Sequence, residues 1–393
     1  MEANQLPADN YSFLEGGLFR KAQRKFGVEN HQGFLAVAGI CFAWLPLVVL
    51  TAIDGTLYTG VTHTFLEDVA MHARILIAVP VLILIRNVID IKTTAVTRYM
   101  SESLLEPDVR QKLLSVKLPK LRKLACSSWT EIVLLLIVAS AVISVYQSGV
   151  YGGLQGVDSD WKFAGKPEEN VLSLAGTWAV CFSIPFFQFL LLQWLWRYIV
   201  WMMLLFHFSK LPLKLLPTHA DRSGGLGIVM LAQQSLSFIF LAGSLVISGQ
   251  LLVHLTNSAD NIIMVQRVGI GYIVLSVLLL ILPMFFFMGR LVRTKQLGLL
   301  RLSMLGTTMS KAFEQEWLND KPIEQRIEAG LVDPSMAYDY SCMYDLLQQL
   351  RVLPVNIRDV ISMAVALALP FIPILFVYYS AAEVLQKIIG FLM

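Results

Sequence analysis

The densest group of reactive side chains is the segment PTHADRSGGLG, Pro217 to Gly227. His219 and Asp221, two apart, suit two metal ligands on an extended loop. Arg222 suits a charge-assisted contact to a phosphate or carboxylate. Gly224 and Gly225 let the backbone approach a partner closely, and the N–H groups of a following helix point back into the loop. The same residues also suit a plain capped turn, with Asp221 or Ser223 capping the helix and Arg222 bonding nearby carbonyls. The segment lacks G-x-x-x-x-G-K-[ST] and is not a P-loop.

Three further groups lie in apolar surroundings. Arg74, Arg86 and Asp90 fall in one apolar stretch, where each charge must face protein, water or an interface. Arg86 and Asp90, four apart, suit an ion pair near one end of a helix, while Arg74 suits pairing with Asp68 or snorkelling. Gln188, Gln193, Gln233, Gln234 and Gln250 suit either hydrogen-bonded glue between helices or the lining of a hydrated pathway. Pro370 and Pro373 remove two backbone donors from the last apolar stretch and predict a bend, as in a pore or transport helix. Trp194, Trp196, Arg197 and Trp201 read as an interfacial aromatic belt with a snorkelling cation.

The elements that position these residues are helices in a bilayer. The chain is 56% hydrophobic and 15% charged, against about 25% charged in soluble domains. Seven apolar spans are predicted, at 33–53, 71–91, 128–147, 171–206, 226–252, 264–289 and 359–385. One set of connections (1–32, 92–127, 209–225, 290–358) holds 24 Lys and Arg, and the opposite set holds three. The positive-inside rule then places the N-terminus in the cytosol and the C-terminus outside. The expected class is an all-α polytopic membrane protein. Its parts are a cytosolic segment 1–32, a six-helix membrane region 33–289 with a basic loop 92–127, a cytosolic helical region 290–358 and a last transmembrane helix 359–393. One or two surface helices are expected in 92–127, and three or four short helices in 290–358, one starting at Asp320 before Pro322. The fourth span is apolar for 38 residues from Val171 to Phe208. It is too long for a bilayer, so it is expected to kink at Pro185, tilt, or extend beyond the membrane. No cleaved signal peptide is expected.

The loop His219-x-Asp221-Arg222-x-Gly224-Gly225-Leu226-Gly227 resembles that of a group of bacterial polytopic membrane proteins of unknown function. The resemblance implies a bacterial inner membrane and no particular activity. Seven spans, a cytosolic N-terminus, an extended fourth helix and an inner helical region before the last span are similar in layout to the insect odorant and gustatory receptor channels. That similarity implies a homo-oligomer whose last helix lines a cation pore. An oligomeric ion channel or channel-like receptor is therefore the first functional expectation, with a secondary transporter or a lipid-handling accessory subunit as alternatives. Absent H-E-x-x-H, G-x-S-x-G and paired carboxylates within a span place an enzyme last. No metal, cofactor or nucleic acid is expected. Anionic lipid head groups are the expected partners of the basic inner loops, and the four scattered cysteines are expected to be free thiols.

Overall fold

A computed structural model describes Lys25, Gly27 and residues 31–148, 160–163, 171–257, 262–315 and 334–378. The helix start expected at Asp320, the turn at Tyr151–Gly156 and the end of the last span lie outside these residues. The described chain is helical apart from loops and two isolated β-bridges.

Helix α1 is Gln32–Ile53. The next run, α2, comprises Val69–His72, a π-type stretch Ala73–Ala78, and Val79–Ser103. Three short pieces, Pro107–Lys112, Leu113–Lys117 and Leu118–Ala125, form the surface helix α3. Ser128–Ser148 is α4. Leu174–Trp178, a π-type stretch Ala179–Ser183, and Ile184–Lys210 form α5. Val229–Asn257 is α6, Ile262–Ile281 is α7 and Phe285–Phe313 is α8. Pro334–Gln348 is α9, Ile357–Ala368 is α10 and Ile372–Tyr378 is α11.

Among the described residues six helical runs are long and apolar enough to cross a membrane. The predicted span 71–91 is not one of them. It is nonetheless helical throughout, and α2 packs among α1, α5 and α6 at the centre of the bundle. The described connections between the long helices gather at two ends. At one end the loop after α1 meets residues 160–163, where the Trp161 N–H donates to the His63 carbonyl at 3.2 Å. At the other end the Lys214 N–H donates to the Leu104 carbonyl and the Arg351 N–H to the Arg222 carbonyl, both at 2.8 Å. Helix α8 passes residue 290 unbroken, so the inner region begins as an extension of the sixth span. It is clamped to α9 by Lys295, whose Nζ donates to the carbonyls of Gln348 and Leu350 just past that helix's end.

Proline accounts for the irregular turns. A proline ring clashes with the carbonyl four residues earlier, and widening the helix to π geometry moves that carbonyl away. For Pro80, Pro119 and Pro185 the fourth residue back (Leu76, Ser115 and Cys181) lies in a π-type stretch. The expected kink at Pro185 is therefore a widening just before the proline. At Pro283 and Pro370 the helix tightens to 3-10 turns instead, Leu282–Met284 and Leu369–Phe371, which join α7 to α8 and α10 to α11.

The core joins α2, α5 and α6. On α5 the inward face runs through Trp194, Arg197, Tyr198, Trp201, Leu205 and Phe208, all buried. Trp194 and Trp201 are 2% and 0% exposed and Arg197 5%, so these three are bundle interior and not an interfacial belt. Their spacing of three and four explains it: that period places them on one face, and the face points inward. Trp194 Nε1 donates to the Leu82 carbonyl at 2.7 Å, and the Tyr198 hydroxyl to the Leu279 carbonyl at 2.6 Å. The outer surface instead carries large exposed aliphatics such as Leu136, Ile143, Ile270 and Leu278, as lipid contact requires.

Helices α2 and α6 approach closely at Gly249, where an added Cβ would lie 2.9 Å from the Ala70 Cα. At Gly271 on α7 nothing lies within 4 Å. Gly249→Ala should therefore lower stability by about 1–3 kcal/mol through forced separation of the two helices. Gly271→Ala should be neutral or mildly stabilising. Melting midpoints of the two purified variants in one detergent check the contrast.

Candidate functional site

The glycine-rich loop is closed on itself. The Asp221 carboxylate accepts from the N–H groups of Ser223 (2.8 Å), Gly225 (3.1 Å) and Gly227 (2.9 Å). His219 Nδ1 lies 2.8 Å from the same carboxylate. Burial opposes the charge of Asp221, but these donors prevail and hold its carboxyl below the ordinary range. The N–H groups that could cradle an external anion are thus filled by the loop's own side chain. Arg222, Gly224 and Gly225 adopt positive φ (53°, 66° and 92°) to make that turn. A Cβ at Gly225 would meet Leu104 and Tyr99 at 3.2–3.3 Å. With the Arg222 carbonyl bonded to Arg351, the loop stitches the end of α2 to the segment before α10.

The expected amides divide into groups. Gln193 Nε2 donates to the buried Glu131 carboxylate at 2.9 Å and ties α5 to α4. Gln234 Nε2 donates to Asp359 at 2.9 Å and ties α6 to α10. Gln233 is fully buried, and neither its amide nitrogen nor its oxygen is hydrogen-bonded. Gln188 and Gln250 line a cavity, and among the described residues their amides make no hydrogen bond. Arg86 is buried with Asp90 half-buried one turn on along α2. Pro370 bends the last helix, where Phe371 packs over Gly269 on α7.

The cavity measures about 300 Å³ and lies near the end of the bundle where α1 turns into α2. Its walls come from the two π-type stretches and their flanks (Arg74, Val180, Ile184 and Pro185), from Ala141, Val142 and Val145 on α4, and from Gln250 and Val253 on α6. The proline-forced widenings of α2 and α5 therefore border one space. Two polar features distinguish it.

The first is a clamp built from residues far apart in sequence. Asp68 Oδ1 accepts from the Met71 N–H at 2.9 Å and caps α2. Its Oδ2 accepts from Lys162 Nζ at 2.9 Å and from Trp161 Nε1 at 3.2 Å. Lys162 also reaches Asp160 at 3.5 Å and sits 5.0 Å over the Trp161 ring. Trp161 is fully buried against Phe65, edge to face at 5.0 Å. Ser173 fixes the segment from α5: its N–H donates to the Lys162 carbonyl, its hydroxyl to the Trp161 carbonyl, and its oxygen caps α5 at the Gly176 N–H. Burial disfavours the charge of Asp68, yet Lys162 and the three donors hold its carboxyl below the ordinary range. Burial also disfavours charge on Lys162, and its two carboxylate neighbours outweigh that and raise it. Asp160, with weaker support, is raised by burial.

The second is Arg74. Asp68 is near enough for its charge to be felt, but among the described residues Arg74 has no ion-pair partner within 4.0 Å. Its side chain reaches Met71 Sδ, 4.0 Å from Nη1. A half-buried guanidinium and two unengaged amides therefore share one cavity. Sequence reading placed Arg74 near Asp68, but Lys162 holds that carboxylate. The Asp160–Lys162 plug had no local signal, since Lys162 stands 94 residues from Asp68.

No protein-family model matches the chain, and neither the curated proteins nor the solved structures compared with it give a match.

The clamp's pH dependence follows from its signs. Asp68, depressed in the fold, adds stability above about pH 4 that is lost as pH falls through its folded value. Lys162, raised, adds stability below about pH 10 that is lost as pH rises through its folded value. Lys162→Met should cost roughly 3 kcal/mol at neutral pH by stranding a buried carboxylate. It should also flatten the fall in melting midpoint expected of the wild type below about pH 4. Thermal melts of both proteins from acid to neutral pH measure each effect.

Proposed function

We propose that this multi-pass membrane protein binds and moves a small organic anion, with the cavity at Arg74 as the binding site. The observation that carries the reading is the Arg74 guanidinium, which among the described residues has no carboxylate within ion-pair distance. Burying a guanidinium that no carboxylate clamps is costly, and proteins keep such a cost where a ligand or pathway uses it. Arg74 supplies a planar, always charged fork for a carboxylate or phosphate oxygen. Gln188 and Gln250 supply N–H donors from two other helices, and the apolar walls exclude water and strengthen each contact. By the positive-inside rule the cavity end faces away from the cytosol of a bacterial inner membrane. The basic connections at the other end then lie against anionic head groups.

An oligomeric ion channel is the second reading, favoured by the last helix. It bends at Pro370, and its flank from Ile357 through Ile361 and Val365 to Leu369 is exposed. The similarity in layout to the insect receptor channels supports a homo-oligomer with that helix at the pore.

Reconstituted protein separates the two. Carrier activity predicts saturable uptake of a monocarboxylate into liposomes without single-channel currents. Arg74→Gln should weaken substrate affinity roughly 10–100-fold, the worth of one or two charge-assisted hydrogen bonds, while Arg74→Lys retains part of it. Single-channel ionic currents insensitive to Arg74→Gln would select the channel and sink the carrier.

A further inference from the structure

Among the described residues the bundle does not close the cavity on all sides. On α4, Leu134 and Val138 are buried, but none of the residues 139–147 is, and Ala141 on the cavity wall is exposed. Helix α4 packs chiefly on α5, so among the described residues its half nearest the cavity stands off from α2 and α6. The gap is bordered by apolar side chains, with Ile143 exposed beside it. A water-soluble anion needs no such opening, whereas a solute already dissolved in the hydrocarbon does.

The charge of the wall selects the head group. Lys162 is held between Asp68 at 2.9 Å and Asp160 at 3.5 Å, so the one positive charge on the wall that no carboxylate clamps is Arg74. A singly charged head is matched, but the second charge of a phosphate monoester would face Asp68. The volume, about 300 Å³, is at the low end for ligand pockets, about 300–1,000 Å³. It suits a head group and the start of one chain, and not the two chains of a bilayer lipid.

We propose that the ligand is a fatty-acid anion that enters sideways from the bilayer between α4 and α6. Its carboxylate sets on Arg74 with Gln188 and Gln250 as further donors, and its chain leaves along the outer half of α4. The proposal rests on the cavity being the anion site argued above, and adds to it the substrate class and the route.

The test uses the full chain in phosphatidylcholine nanodiscs. Binding of doxyl-labelled stearate is read as the motionally restricted component of its spin-resonance spectrum, and binding of hexanoate by calorimetry. The wild type should restrain stearate, with palmitate displacing it more effectively than palmitoyl-lysophosphatidylglycerol. Arg74→Gln should weaken both stearate and hexanoate at least tenfold. Ile143→Trp, beside the gap and outside the cavity lining, should weaken stearate at least tenfold and leave hexanoate within twofold, with an unchanged melting midpoint showing an intact fold. Unchanged stearate binding in Ile143→Trp, or loss of both ligands there, overturns the sideways route while the Arg74 dependence keeps the anion site. Stronger displacement by the lysolipid overturns the carboxylate assignment. Undiminished binding of both ligands to Arg74→Gln removes the site itself.

Discussion

Hydrocarbon offers no hydrogen bonds, so each polar group inside the bundle has to find its partner within the protein. That constraint organises the molecule from end to end. Trp194 turns its N–H onto the Leu82 carbonyl, Tyr198 its hydroxyl onto the Leu279 carbonyl, and Tyr272 its hydroxyl onto the Phe240 carbonyl. Thr93, Thr97 and Ser101 each return their hydroxyls to the backbone four residues earlier at 2.7 Å. Buried polar side chains therefore serve as stitches between or along helices. Against that background Arg74, Gln188 and Gln250 stand out because they share a cavity and are not stitched.

The same constraint explains why the cavity lies where it does. A proline in a membrane helix removes a donor and displaces a carbonyl, and widening the turn is the local remedy. Pro80 and Pro185 impose that remedy on two neighbouring helices at a similar depth, so the widened turns Ala73–Ala78 and Ala179–Ser183 border the same space. The clamp of Asp68, Trp161 and Lys162 then holds α2 and α5 in position at that level. The tightness of the arrangement shows at Gly176, whose added Cβ would lie within bonding distance of the Lys162 carbonyl. Only a residue without a side chain lets the plug seat there.

The glycine-rich loop illustrates the opposite outcome. Its residue types suit an anion site, and the backbone N–H groups do converge. They converge on Asp221, a carboxylate inside the loop, which meets their demand more cheaply than any external ligand because it carries no cost of association. What remains is a rigid joint at which the end of α2, the start of α6 and the segment before α10 are fastened together.

Several features were legible in the sequence because they depend on composition and period. Apolar runs of bilayer length determine the all-helical membrane class, and the face Trp194, Tyr198, Trp201 and Leu205 follows from a spacing of three and four. Pro185 and Pro370 marked where helices depart from regular geometry, since the effect of a proline ring is local. Partnership was not legible, because it joins residues distant in the chain. Five glutamines of one chemical type separated into stitches, a buried unbonded amide and two cavity donors according to which neighbour each helix face met. Asp68 found Lys162 and not Arg74, six residues away, because the plug after α4 brings an ammonium to the carboxylate first. The sequence alone determined that charged groups must sit in an apolar medium. Only the tertiary structure decided which of them would be clamped, as Lys162 is by Asp68, and which would not, as with Arg74.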